Sequence, residues 1–441
     1  MSTQESTDSE QESSPREELR ETIRAAFDPY MRSRQALDAK GIPPDERGYN
    51  DRNRHNDGAE IYQQVGLAPF IKELERAERR DHEVSSHPQA LAHLVCHISD
   101  WERHQLGEEE PDFSEMGRLR KPVLEWLADE DDRLQRLRPG GTEILIHGEQ
   151  GTTKTTAMYW LIALIMQLKQ RENVLWLSSL DDTEWTALAP FATVALPAGE
   201  RVKVQANPYT RELRGEMVDL TIDDVARDVI RYEDPRDLLE QLDRRTSGQF
   251  YVLYPDPNFR ACEEITGRSY AGIRDEEVDK LGDAATIHHW WFALVEELAH
   301  GTQYREWTTI VADEAHKWLK AGKSDDEHDW WHKIDDFSST WADARKKRLS
   351  GIFATHIWHE IPDRVRRKVR WGATMNGEPF PSKAPLDGRN RNQDLGDTCV
   401  WTPLAWNFVG YPNVPRKAGT TVPAEISVSF PDWEAAKNDL T

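Results

Sequence analysis

The sequence predicts an α/β fold with a mainly parallel central sheet, preceded by a helical N-terminal region. Three observations carry this. After the break at Arg138-Pro139-Gly140-Gly141, short apolar runs alternate with amphipathic stretches, as in strands and helices wound on one sheet. One such strand feeds a Gly/Thr turn that opens a long apolar helix. Before the break, apolar residues such as Ile61, Val65, Ile71 and Leu74 recur near helical spacing instead.

In chain order, residues 1–18 are Ser, Thr, Glu and Gln with almost nothing apolar, and are expected to be a disordered acidic tail. Residues 19–139 read as helical, punctuated by Pro43, Pro44 and Pro111. The core is expected over 140–410, followed by an extension over 411–441. Within the core the pattern predicts strands at 143–147, 173–178, 250–254, 308–313, 351–355 and near 369–375. Helices are predicted at 154–171, 222–232, 290–300 and 330–345, and short strands at 400–401 and 426–430. There is no internal repeat.

The chain has 441 residues, of which 56 are basic and 79 acidic, giving a formal charge of −23. Seventeen of the basic residues are lysine and 39 arginine. An acidic surface repels polyanions at low salt, which argues against loose DNA binding. An acidic, lysine-poor chain also suits molar salt, where the Debye length is about 3 Å and only close contacts count. An ordinary acidic enzyme and a halophilic protein both remain open. Isolated Cys96, Cys262 and Cys399 exclude a disulfide scaffold and a zinc ribbon. The longest apolar run, over 157–168, is short of the roughly 20 residues of a membrane span, and the N-terminus lacks signal-peptide order. The expected location is the cytoplasm, or a virion if the gene is viral.

The strongest local signal is Ile144-Leu145-Ile146-His147-Gly148-Glu149-Gln150-Gly151-Thr152-Thr153-Lys154-Thr155-Thr156. A strand, a turn and a helix in this order are the context that a phosphate-binding loop requires. Backbone N–H groups of 148–156 would surround phosphate oxygens, aided by the helix N-terminus. Lys154 would reach the β- and γ-phosphates of ATP, and the Thr155 hydroxyl would bind Mg²⁺. Thr153 stands where such loops usually carry glycine.

The second signal is Trp307-Thr308-Thr309-Ile310-Val311-Ala312-Asp313-Glu314-Ala315-His316, an apolar strand ending in two carboxylates. The carboxyl ends of parallel strands face one crevice. Asp313 would hold Mg²⁺ and Glu314 would orient or deprotonate the attacking water. The third is Gly351-Ile352-Phe353-Ala354-Thr355-His356, another strand ending in polar residues. Thr355 and His356 are candidates to touch the γ-phosphate as a sensor.

Together these elements, over about 140–375, resemble the RecA-like P-loop ATPases with an additional catalytic glutamate. Within them the text Ala354-Thr355-His356, followed by Glu360-Ile361-Pro362-Asp363-Arg364-Val365-Arg366-Arg367, is most similar to the FtsK/HerA group of DNA-pumping motors, including viral packaging ATPases and Zot-like proteins. That group carries glutamine where His356 stands. The resemblance implies ATP hydrolysis that drives translocation or packaging of double-stranded DNA, and a homo-oligomeric ring such as a hexamer. Two alternatives stand beside it: a Zot-like ATPase that assembles or remodels protein without a DNA track, and a nucleotide-binding scaffold with weak hydrolysis. The Asp313-Glu314-Ala315-His316 text matches a helicase box, but no helicase arginine motif follows.

Arg364, Arg366, Arg367, Lys368 and Arg370 form one basic cluster, and Arg345, Lys346, Lys347 and Arg348 another. Three readings are open: an arginine finger on a neighbour's ATP, contacts to a DNA backbone, and pairing with the chain's own carboxylates. A finger from Arg364, Arg366 or Arg367 would require a ring. His288, His289, His328 and His332 lack the Glu or Cys framework of a metal site. Trp290, Trp291, Trp330 and Trp331 would stack on bases or, more simply, fill the core.

Overall fold

The computed structural model describes residues 143–168, 172–178, 184–208, 217–246, 248–270, 284–320, 329–391, 397–402, 405–410 and 424–432. The tail over 1–18 and the helical region over 19–139 lie outside these residues.

The central sheet grows from apolar runs too short for helices. β1 (Glu143–His147), β2 (Asn173–Leu177), β3 (Ala192–Pro197), β7 (Phe250–Leu253), β8 (Thr308–Ala312) and β9 (Leu349–Thr355) are buried along their whole length. Continuous apolar burial is what a parallel sheet covered on both faces requires. With β6 (Asp228–Tyr232), β10 (Trp371–Met375), β11 (Asp397–Thr402) and β12 (Ala405–Gly410) they form a ten-stranded sheet, ordered β12-β11-β10-β1-β9-β8-β2-β7-β3-β6. All neighbours from β10 to β6 pair parallel, and β11 and β12 close one side antiparallel.

One position in this order matters most. β9 lies between β1 and β8, so the strand entering the Gly/Thr turn and the strand ending in carboxylates are not neighbours. His147 at the end of β1 faces Thr355 of β9, and Ala312 at the end of β8 faces Phe353. The three strand ends therefore open on one edge.

Helices cover the sheet. α1 (Lys154–Leu168) follows the loop directly. α2 (Pro235–Asp243) starts where Asp234 accepts from the N–H groups of Arg236 and Asp237 at 2.7 and 3.0 Å, with Pro235 in the first turn. α3 (Cys262–Thr266), α4 (Trp290–His300), α5 (Trp330–Ala342) and α6 (Asp363–Arg366) follow along the chain. Trp290, Trp291 and Trp341 are fully buried among aromatic neighbours, and Trp330 is buried as well. None of these four is placed to stack on a base. Trp331 is half exposed, with the Arg364 guanidinium 4.2 Å from its ring centre.

The helix expected over 222–232 does not form. A short 3₁₀ turn, Ile222–Asp224, is capped by Thr221 and Asp224, and the chain then becomes β6. Ile230 and Tyr232 are buried while Arg231 between them is exposed, so a period of two outweighs the helical spacing. The sequence pattern does not give β3 or α2. Nor does it give a second sheet, built from β4 (Lys203–Pro208), β5 (Val218–Leu220) and β13 (Ala424–Ser429), with β4 in the middle. β13 falls within the segment read as an extension, and it pairs antiparallel with β4.

Candidate functional site

The site forms where β1, β8 and β9 end. After His147 the chain turns through 148–153 and enters α1. Gly148 donates its N–H to the Thr355 carbonyl at 3.3 Å, tying the loop to β9. A Cβ on Gly148 would lie 2.6 Å from Thr152 Oγ1 and 2.7 Å from Met375 Cβ, so only glycine fits there. Gly151 takes φ 85° and Thr153 φ 68°, the two left-handed turns that bring the chain into the helix. Thr153 therefore adopts the conformation that glycine would adopt freely.

Lys154 is buried and folds back over the loop. Its Nζ donates to the carbonyls of Gly148 at 2.7 Å and Glu149 at 3.0 Å. Burial lowers its pKa, against the upward pull of Asp313, Glu314 and Glu378. The Thr155 hydroxyl donates to Asp313 Oδ2 at 3.0 Å, joining α1 to the end of β8. Burial raises the Asp313 pKa, partly offset by the bonds from Thr155 and from the Glu314 N–H.

Glu314 has φ 50°, a left-handed turn that redirects the chain after β8. Its carboxylate is ion-paired with Lys317. Burial pushes the Glu314 pKa up, but Lys317 and the His356 hydrogen bond outweigh it and hold it below the usual carboxylate range. His356 stands between loop and glutamate, with Nδ1 3.2 Å from Lys154 Nζ and Nε2 3.1 Å from Glu314 Oε1. One neutral tautomer satisfies both contacts: Nδ1 accepts from the ammonium and Nε2–H donates to the carboxylate.

The structure thus brings Gly148, Gly151, Thr153, Lys154, Thr155, Asp313, Glu314 and His356 to one edge. Thr155 lies beside Asp313, and Lys154 and Glu314 meet through His356. Gln150 and Gly151 are exposed at the turn, and Thr156 lies in the first turn of α1. Thr355, the other sensor candidate, is fully buried and donates to the Ile357 carbonyl at 3.2 Å and to Glu360 Oε2 at 3.3 Å.

The arginines of 364–370 are engaged within their own chain. Arg364 donates to Asp335 Oδ1 at 3.2 Å and to the Trp331 carbonyl at 3.0 Å. Arg366 donates to His359 Nδ1 at 3.0 Å, and Arg370 lies 3.7 Å from Glu143. Arg367 pairs with Asp363 at 2.5 Å, yet its side chain is 73% exposed, against 24% for Arg364 and 14% for Arg366.

Sequence reasoning missed three residues of the site. Lys317 sits three residues after Glu314, a spacing that is visible in the sequence. His316, whose pKa burial lowers, has its ring 5.4 Å from that of His356. Glu378 follows β10, and its Oε1 accepts the Glu149 N–H at 2.9 Å across 229 residues of sequence. No local pattern could have given that contact. Below the loop, burial lowers the His147 pKa to about 3, and the neutral ring lies 2.8 Å from Thr374 Oγ1 and edge-on to Trp358.

The fold is a mostly parallel α/β sheet in which one strand, β9, stands between the loop strand β1 and the carboxylate strand β8. No protein-family model matches the sequence, and no curated protein matches it. Solved structures to which the chain is similar include the genome packaging NTPase B204 of Sulfolobus turreted icosahedral virus 2 in complex with ATP-gammaS, at 10% identity and TM-score 0.32, covering 61% of this chain and 98% of that one. Thermomonospora curvata EccC (ATPases 2 and 3), in complex with a signal sequence peptide, aligns at 12% identity and TM-score 0.30, over 64% of this chain and 40% of that one. The pCW3 conjugation coupling protein TcpA with ATPgS aligns at 11% identity and TM-score 0.27, over 60% and 59%. Among the described residues no helix is long and apolar enough to cross a membrane.

Proposed function

We propose that the protein is a Mg²⁺-dependent ATPase that moves or packages double-stranded DNA. The observation that carries the ATPase reading is the convergence of Lys154, His356 and Glu314 beside the Thr155–Asp313 pair. A lysine, a hydroxyl–carboxylate pair and a second carboxylate are the groups that phosphoryl transfer to water requires.

The donor set suits the metal. Among the described residues no three His, Cys, Asp or Glu side chains form a metal cluster of their own. The Thr155 hydroxyl and the Asp313 carboxylate are hard oxygens, and Mg²⁺ takes one or two such protein groups together with substrate phosphates and water. When bound, Mg²⁺ would neutralise charge on the phosphates. Lys154 leaves the Gly148 and Glu149 carbonyls to bind phosphate oxygens. Glu314 accepts the proton of the water whose oxygen attacks the γ-phosphorus, as the bond to the bridging oxygen of ADP breaks. His356 holds Glu314 in position and relays its state to the loop.

The DNA track rests on the similarity of 354–367 to the FtsK/HerA group. The exposed basic residues Arg367 and Lys368 beside the sensor segment are in keeping with it. Of the three finger candidates, Arg367 is the one exposed enough to reach a second copy in a ring. The protein would then act in the cytoplasm or with a virion.

The test is ATP turnover across a salt series, with and without double-stranded DNA, and with mass measured by light scattering. Expected are DNA-stimulated turnover, loss of nucleotide binding in Lys154→Ala, and retained binding with at least about a hundred-fold slower turnover in Glu314→Gln. Turnover indifferent to DNA would move the reading to a protein-remodelling ATPase. Unchanged nucleotide affinity in Lys154→Ala would end the enzyme reading.

A further inference from the structure

Thr153 departs from the glycine expected before the loop lysine, and the structure shows two things about it. Its φ of 68° is left-handed, a region where β-branched residues are outliers and glycine is at ease. Strain kept at a site points to something the side chain does there. Its Oγ1 is also shielded from solvent without a hydrogen-bond partner among the described residues. Buried hydroxyls ordinarily have one.

Its neighbours differ. The Thr152 hydroxyl donates to the Glu149 carbonyl at 2.8 Å, and the Thr155 hydroxyl to Asp313 at 3.0 Å. Thr153 thus keeps an uncommitted hydroxyl proton, adjacent to the lysine meant for phosphate. A glycine would remove the strain and also the donor.

We propose that the Thr153 hydroxyl, covered in this conformation, becomes a direct ligand of the nucleotide when Lys154 leaves the Gly148 and Glu149 carbonyls, donating its proton to a phosphate oxygen. The substitution for glycine then adds a contact at the cost of a strained backbone. This rests on the reading of 148–156 as a nucleotide site.

The experiment measures ATPγS binding by calorimetry and thermal stability in Thr153→Gly, Thr153→Val, Thr153→Ser and Lys154→Ala. A neutral donor to a charged acceptor predicts about ten-fold or greater loss of affinity in Thr153→Gly and Thr153→Val. Thr153→Ser should stay within about three-fold, since it keeps the hydroxyl. Relief of strain predicts that Thr153→Gly melts about 1–3 °C higher while binding more weakly. If Thr153→Gly or Thr153→Val binds ATPγS as tightly as the unaltered chain while Lys154→Ala does not, the proposal is overturned and the nucleotide site stands. If Lys154→Ala binds normally, both fall.

Discussion

The Glu378 carboxylate accepts a hydrogen bond from the Glu149 N–H at 2.9 Å, so a backbone donor of the 148–153 turn, proposed to bind phosphate, is held by an anion of the chain itself. An incoming polyphosphate would compete for that donor and meet the same negative charge. Glu378→Gln keeps an acceptor oxygen but removes the charge. We expect it to bind ATPγS about three- to ten-fold more tightly, as loss of one nearby like charge in a partly screened site implies. Titration calorimetry checks this, and weaker binding would show that Glu378 supports the loop rather than opposing the ligand.

On the proposed reading of Glu314 as the base, Lys317 would set the acid side of the pH profile. It holds the Glu314 pKa below the usual range, and a general base works only when ionised. Lys317→Met removes the charge while burial remains, so the Glu314 pKa rises. The acidic limb of kcat should move to higher pH, with activity on the plateau retained. A limb that stays in place would mean that Glu314 is not the titrating base.

If Asp313 holds Mg²⁺ as proposed, it sets stability against function. Its folded pKa is raised, chiefly by burial, so the protonated form favours folding. Its contribution is fully present below the unfolded pKa and is lost as pH rises through the folded value. At neutral pH the ionised carboxylate therefore costs stability. Asp313→Asn should raise Tm by about 1–3 °C in the absence of ligand while stopping Mg²⁺-dependent turnover. Thermal scans at pH 5 and pH 8 provide the check, with the larger gain expected at pH 8.

Gly148 is a packing position. A methyl group placed there would meet Thr152 Oγ1 and Met375 Cβ well inside contact distance. Gly148→Ala should destabilise the fold by about 1–3 kcal/mol and abolish nucleotide binding. Denaturant unfolding and ATPγS calorimetry check this, and a Gly148→Ala chain of unchanged stability would show that the loop has room for the methyl.

What the sequence made legible was local. The loop, α1 and the Asp313-Glu314 pair could be read because strand, turn and helix follow one another within a few residues. His356 was legible as the end of a strand, though its place between Lys154 and Glu314 depends on β9 lying between β1 and β8. Glu378 was not legible, since it reaches the loop from a distant turn. The helix expected at 222–232 failed because Asp and Arg at 223–227 mimic a polar helical face, while the pairing of Val194 with Val229 decides for a strand. The arginines of 364–370 stood out by charge, but only the fold shows that Arg364 and Arg366 are spoken for.

The pairing of β13 with β4 joins residues about two hundred positions apart; Ser427 Oγ, for example, donates to the Gln205 carbonyl at 3.4 Å. Arg201 and Asp432 fasten the same end with an ion pair, and Phe430 packs against Tyr254. During synthesis β4 must wait, half-paired, while the whole nucleotide site emerges and can close on itself. A ribosome stalled before residue 424 would therefore display a finished 148–156 loop on a chain with an unfinished edge, and, on the proposed reading, ATP binding would report maturation of the core before maturation of the protein.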